Sequence, residues 1–227
     1  MTPQALLHLL RLASPALPIG GYAYSQGLEQ AVQAGVVTSE ESLCGWLEGL
    51  ACSGLATLDL PMLVRMHRAW AMADEAAALA LALALDGELM AWRDCAEARL
   101  EERQMGGALA GILAESGLEA AKVLAVSGQA TYLGAFALAC AAWAIPERDG
   151  LLAFAFSWAE NQVTAGVKLI PLGQKAGQRV LARLMDPLEK AVDMALKHSG
   201  EALCSSTPGR SLAQLLHAGQ HARMFRS

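Results

Sequence analysis

The chain has 227 residues, a net charge of −5 and a pI near 5.5; 54% of its residues are apolar, only 5% are aromatic, and its mean hydropathy is +0.32. Acidity without a Lys/Arg cluster excludes a nucleic-acid footprint, and scarce aromatics leave a core of Ala and Leu, residues that favour helix. One domain of this length buries roughly 70% of its unfolded surface, and a chain this apolar is expected to hide some surface against a partner.

Thr2–Pro3 is a cap followed by proline at the first helical position, so a helix starts at once. Leu6, Leu7, Leu9 and Leu10 give its apolar stripe and Pro15 forces its end. The opening segment lacks a basic start and Arg11 interrupts its apolar run, so no secretion signal is expected. In Ser14–Glu29, SPALPIGGYAYSQGLE, Pro15 and Pro18 forbid a continuous helix from Leu12 through Ile19. Gly20–Gly21 permit positive φ and close approach by another backbone or a partner. Tyr22 and Tyr24, two residues apart, cannot share one helical face. At least one ring therefore points away from the local core, which is costly unless something covers it. A phosphate loop is excluded: no strand precedes the glycines and no Gly-Lys-Ser/Thr follows.

The pattern predicts a helix over Tyr22–Ala34, closed by Gly35. A capping box at Thr38–Glu41 starts the next near Ser39, which runs into the early fifties. Leu58-Asp-Leu-Pro61 breaks or restarts it, and Met62–Met72 continues. Asp74–Leu85 is an Ala/Leu helix that Gly87 separates from Glu88–Gln104. The latter alternates charge through Arg93, Asp94, Glu97, Arg99, Glu101, Glu102 and Arg103, as a solvated face laced with i,i+4 pairs or a charged docking surface would. Gly106–Gly107 and Ser116–Gly117 bound a short helix. Val123–Pro146 holds 24 residues without a charge, long enough to cross a bilayer. Its polar first half (Ser127, Gln129, Thr131, Tyr132) instead favours a fully buried central helix from near Ser127 to Pro146. Asp149 caps Gly150–Val167, Pro171–Gly173 breaks the chain, and Gln174–His198 resumes a helix that Asp186–Pro187 can kink. Gly200–Ser206 reads as loop, and Thr207–Pro208 caps a last helix that frays into the tail. With no period-two alternation, no repeat and no linker, the chain is all-α and one domain over residues 1–227.

Candidate chemistry is sparse. Cys44, Cys52, Cys95, Cys140 and Cys204, odd in number and without C-x-x-C, read as reduced, mostly core-packing thiols of a cytosolic protein. Lys168 lies among apolar residues, so it either snorkels to water or stands at a functional surface. His217 and His221, four apart, can hold a divalent metal on one helix face or simply be solvated. No third ligand is near, so no tight metal site is expected in the isolated chain. Arg223-Met-Phe-Arg-Ser227 flanks Phe225 with two guanidiniums, which suits either a frayed end or a docking tail. Burying Phe225 and Met224, with a charge-assisted pair from Arg223 or Arg226, nearly balances the entropy of ordering the tail, so the tail is expected to be loose until a partner arrives. No nucleotide loop, G-x-S-x-G or H-E-x-x-H supports an enzyme.

Leu12–Glu29, with its S-P-A-L-P-I-G-G-Y-A-Y-S-Q-G-L-E order, resembles the N-terminal signature of the UreF family of urease accessory proteins. Ala165–Gln174 (AGVKLIPLGQ) and Arg223–Ser227 (RMFRS) match the same family in its order. The resemblance implies a single-domain helical bundle of about ten helices that tends to dimerise, with a flexible N-terminal helix and a C-terminal docking tail. It implies a cytoplasmic adaptor without turnover, bridging UreD (UreH in some systems) and the GTPase UreG to insert nickel into apo-urease. No cofactor would be its own: nickel transits the complex and the partner binds GTP. Partner contacts carry over to Pro18, Gly20, Gly21, Tyr22, Ser25, Glu29, Lys168, Arg223, Phe225 and Arg226. His217 fits the family pattern, whereas His221 stands where an aromatic is more usual. Two alternatives remain: Arg223 or Lys168 acting in trans on the GTPase's nucleotide, and a membrane-associated bundle.

Overall fold

The computed structural model describes residues 1–198, 203–204 and 207–227, and among these every regular element is helical. Helix α1 (Pro3–Ala13) starts where expected, with the Thr2 hydroxyl accepting the Ala5 N–H at 3.1 Å and Pro3 in the first turn. It buries Ala5, Leu9 and Leu12 and leaves Leu6, Leu7 and Leu10 exposed. His8 stacks on Trp143 with ring centroids 4.2 Å apart, pinning the helix to the bundle.

The helix expected over Tyr22–Ala34 is split. A 3-10 turn covers Gly21–Ala23, and α2 (Leu28–Gln33) begins only after Gly27. Gly20 and Gly27 take φ of +78° and +86°, left-handed conformations that interrupt a helix and favour glycine. Helix α3 (Glu40–Leu50) has its capping box at Ser39, closed by Ser42 rather than a glutamate. It passes without a break through a π-helical stretch, Ala51–Asp59, into α4 (Leu60–Trp70). Pro61 lies inside this continuous helix, where it withholds one ladder N–H, so the expected break or restart at Leu58–Pro61 does not occur.

Two glycine breaks did not form. Helix α5 (Glu75–Trp92), capped by Asp74, runs through Gly87, and α6 (Ala96–Glu115) runs through Gly106–Gly107. The chain turns instead at Arg93–Cys95. An isolated glycine costs a helix only about 1 kcal/mol, and at Gly106 its lack of a side chain is needed: a Cβ there would lie 2.4 Å from the Thr131 carbonyl carbon.

The uncharged run of Val123–Pro146 divides between α7 (Glu119–Ser127) and α8 (Tyr132–Ala142), parted by left-handed Gly128. Helix α8 is the buried central helix that was expected, shorter than predicted. Apolar on all sides, it packs on α4 and α6. Helix α9 (Glu147–Leu169) starts before Asp149 and packs on α10 (Gln174–His198), which keeps Pro187 inside it. Helix α11 (Pro208–His217) lies across α2. The expected Gly200–Ser206 loop lies outside the described residues except for 203 and 204. Among the described residues, only the continuous helix Glu40–Trp70 is long and apolar enough to cross a membrane, and its most apolar window is 72% buried within the fold.

Candidate partner-docking site at the signature loop and tail

The loop after α1 is held from three sides. From α9, the Asn161 side-chain amide donates to the carbonyls of Gly21 at 2.9 Å and Tyr24 at 3.3 Å, and Trp158 Nε1 donates to Gln26 at 2.9 Å. From α6, Gln104 takes the Tyr24 hydroxyl and Glu101 takes the Gln26 amide at 2.8 Å. The two tyrosines part as their spacing required: Tyr24 is buried, while Tyr22 is 68% exposed. Pro18 is exposed and Gly20 has nothing within 4 Å of a Cβ built there.

The third side is the tail, and here an expectation is corrected. Residues 223–227 are not left awaiting a partner; they run against the signature loop of their own chain. The amides of Met224 and Phe225 donate to Glu29 at 2.7 and 3.0 Å, and the Arg226 amide donates to the Ala23 carbonyl at 2.7 Å. Ser25 donates through both its amide (2.8 Å) and its hydroxyl (2.6 Å) to the Ser227 carbonyl. Phe225 is consequently buried, with the Lys168 ammonium 6.0 Å from its ring centroid. Lys168 is exposed and lies beside the tail. The two amide bonds to the Glu29 carboxylate, each of a kind that contributes about 1.5–3 kcal/mol, tip the tail toward docking on its own chain. Ser25, Glu29 and Phe225 therefore build the site from behind, and the outward groups are Tyr22, Lys168, Arg223, Met224 and Arg226.

Glu29 anchors this arrangement. Burial alone would raise its carboxyl, but the Met224 amide, the His217 ring and the Phe225 amide together hold it below the usual carboxylate range. His217 is fully buried, with Nε2 2.9 Å from Glu29 and Nδ1 3.7 Å from Glu97. It is neither solvated nor paired with His221, which is exposed. Among the described residues no group of three or more His, Cys, Asp or Glu could hold a metal ion. Arg223 reaches Glu97 at 3.2 Å and Arg226 reaches Gln104 at 3.1 Å, which orients both guanidiniums while leaving them accessible.

Beneath the loop lies a cavity of about 150 Å³, walled by Leu17, Ile19, Met105, Phe154 and Trp158 and floored by charge. Arg93 bridges Asp59, at 2.6 Å, and Glu102, whose other oxygen accepts the Tyr132 amide at 3.0 Å. The expected solvated face is therefore wrong for three of its charges, since Arg93, Glu101 and Glu102 are all buried. Burial pulls Arg93 down, yet the Asp59 and Glu102 carboxylates more than offset this and keep it charged. Burial pushes Glu101 up to about 7. The signal available in sequence was an aspartate inside an apolar run, Leu58-Asp-Leu-Pro61, which needs a cationic partner if buried. The thiols of Cys44 and Cys140, pushed by burial up to about 11 and about 12, are poor nucleophiles. The arrangement suits recognition: a firm backing that presents an aromatic, a methionine and three cations.

Comparison with known proteins bears directly on this reading. A family profile described as UreF matches residues 37–185. The urease accessory protein UreF of Alkalilimnicola ehrlichii is 41% identical over 219 residues, 96% of this chain and 94% of that protein. The chain belongs to the UreF family. Urease accessory proteins UreF of Chromohalobacter salexigens (43% identical, covering 99% of this chain and 96% of that protein) and Pseudomonas putida (44%, covering 98% of both) are similar over the same extent. The profile stops short of the signature loop and the tail, but these alignments take in nearly the whole chain. The UreF relatives are named as accessory proteins of urease, in keeping with a maturation factor and not an enzyme.

Proposed function

We propose that this UreF-family chain is an adaptor of urease maturation, bridging UreD (UreH) and the GTPase UreG so that nickel reaches apo-urease. In this reading it works in the cytoplasm, nickel passes through the assembly, and GTP is held by the partner. The observation that carries it is the outward rim of Tyr22, Lys168, Arg223, Met224 and Arg226 on a backing of buried hydrogen bonds. Exposed aromatics and arginines on a fixed scaffold are the groups that dominate protein interfaces, and a preformed rim reduces the ordering entropy that binding would otherwise cost. A homodimer is part of the same proposal, supported by exposed leucines on α1 (Leu6, Leu7, Leu10) and α11 (Leu212, Leu215, Leu216).

Co-purification with each maturation partner, separately and together, tests the adaptor. Arg223→Ala with Arg226→Ala should lower recovery of the GTPase-containing complex while sedimentation and the circular-dichroism spectrum stay unchanged. Undiminished recovery and normal nickel incorporation into urease would overturn the assignment of the rim. Measuring GTP hydrolysis in the same mixtures separates an adaptor from an in-trans regulator.

A further inference from the structure

Three donors converge on one side chain. Glu29 Oε1 accepts the Met224 amide at 2.7 Å, and Oε2 accepts both the Phe225 amide, at 3.0 Å, and His217 Nε2, at 2.9 Å. Two of these donors are consecutive backbone N–H groups of a segment with no regular structure, and the Phe225 amide, partly buried, needs an acceptor. The third belongs to the last residue of α11, the helix that delivers the tail. Glu29 itself stands in the first turn of α2, where a negative charge is favoured by the helix dipole. His217 is backed in turn by Glu97, which also holds Arg223. One carboxylate thus ties the loop-borne helix α2 to α11 and to the tail.

We propose that Glu29 is a positioning residue: it clasps residues 223–227 onto the signature loop and so sets where Arg223, Met224 and Arg226 stand relative to Tyr22. The consequence for partner recruitment rests on the adaptor reading, but the clasp itself does not. Arg223 is held to Glu97 upstream of it, and the remaining backbone contacts of the tail lie downstream. Once Met224 and Phe225 are seated, the Arg226 amide meets Ala23 and the Ser227 carbonyl meets Ser25. Releasing the first two amides leaves the later contacts on a swinging end, so the whole segment should loosen together. The direct partner contact first expected of Glu29 is replaced by an indirect one.

The test is amide hydrogen exchange of the full chain, residue by residue over 223–227, in the wild type and in Glu29→Ala. Loss of a hydrogen bond to a charged group should speed exchange at Met224, Phe225 and Arg226 by at least about tenfold, while amides of α4 and α8 keep their protection. Glu29→Gln, which retains an acceptor, should restore part of the protection. Unchanged exchange over 224–226 in Glu29→Ala would overturn the clasp. Should Glu29→Ala fail to fold, Met224→Pro removes one donor and leaves Glu29 in place. It should speed exchange at Phe225 and Arg226, and protection there equal to the wild type would equally overturn it. Faster tail exchange with undiminished recovery of the partner complex would uphold the clasp and overturn the tail's part in recruitment.

Discussion

The rim around Glu29 and the floor around Arg93 use the same residue types to opposite ends. At the rim, a carboxylate near the surface collects three donors and is kept ionised. In the interior, Glu101 and Asp86 carry carboxyls that burial pushes up to about 7, Asp86 while bonded by the Thr131 hydroxyl at the N-terminus of α8. The rim therefore needs its charge, whereas parts of the interior are more stable without it. Positioning by ionic bonds is confined to where water still screens and donors abound; below, ion pairing serves to make unavoidable buried charge tolerable.

The largest break in this comparison should come from Arg93→Ala. It leaves Asp59 and Glu102 buried without their shared cation, a class of change that costs roughly 3–5 kcal/mol. Chemical denaturation should show it as a fall in midpoint with little change in slope. Arg223→Ala removes an exposed guanidinium from the rim, and there the same measurement should move by less than about 1 kcal/mol. Equal losses would mean that the floor is far wetter than its burial indicates.

The second effect is a dependence on pH of opposite sign in the two regions. Asp86 and Glu101 have folded pKa values raised from 3.8 and 4.5 to about 7. They contribute stability that is fully present below those unfolded values and is lost as pH rises through about 7. Glu29, held low, contributes tail docking that is present above 4.5 and lost as pH falls below it. Between pH 5 and pH 8 the unfolding free energy should therefore decline while tail amides, compared at equal intrinsic exchange rate, keep their protection. Asp86→Asn should flatten the decline. A stability curve for Asp86→Asn parallel to the wild type would assign the slope to other groups.

A third, smaller effect separates adjacent glycines of α6. A Cβ at Gly106 would meet the Thr131 backbone at 2.4 Å, whereas one at Gly107 meets nothing within 4 Å. Gly106→Ala should cost about 1–3 kcal/mol as overpacking, and Gly107→Ala should stabilise by up to about 1 kcal/mol through helix propensity. Thermal melts of the pair decide this, and a matched shift would show that α6 and α8 part readily.

These glycines also show where sequence reading ran out. As helix breakers they were given a boundary that α6 does not have, because close approach and conformational freedom leave the same residue in the sequence. The class of fold, the start of α1, the buried α8 and the split of Tyr22 from Tyr24 were legible, since each rests on local chemistry or on the absence of charge. Tyr22, Lys168, Arg223 and Arg226, singled out by spacing or by apolar or terminal surroundings, are exposed. Glu29 was named for its place in the signature, but its three donors come from residues 217, 224 and 225. Asp59 and Arg93, 34 positions apart and meeting at 2.6 Å, are likewise joined only by the fold. Nothing in local spacing announces such pairs.

The smallest effect on stability, and the sharpest on function, is expected at Tyr22. The residue is 68% exposed, and its carbonyl and amide are not among those that hold the loop; Gly21, Ala23 and Tyr24 supply the bonded carbonyls beside it. Truncation to alanine removes little buried surface and strands no polar group, so denaturation should move by no more than about 0.5 kcal/mol. Tyr24→Phe is its counterpart, deleting a hydroxyl bonded to Gln104 beneath the loop. That loss should cost about 1 kcal/mol while the outer rim keeps its chemistry. If the rim is the docking surface, Tyr22→Ala should weaken partner recovery at nearly wild-type stability, and Tyr24→Phe should lower stability with recovery largely kept. The reverse pattern would make Tyr22 a packing residue and move the docking surface elsewhere on the molecule.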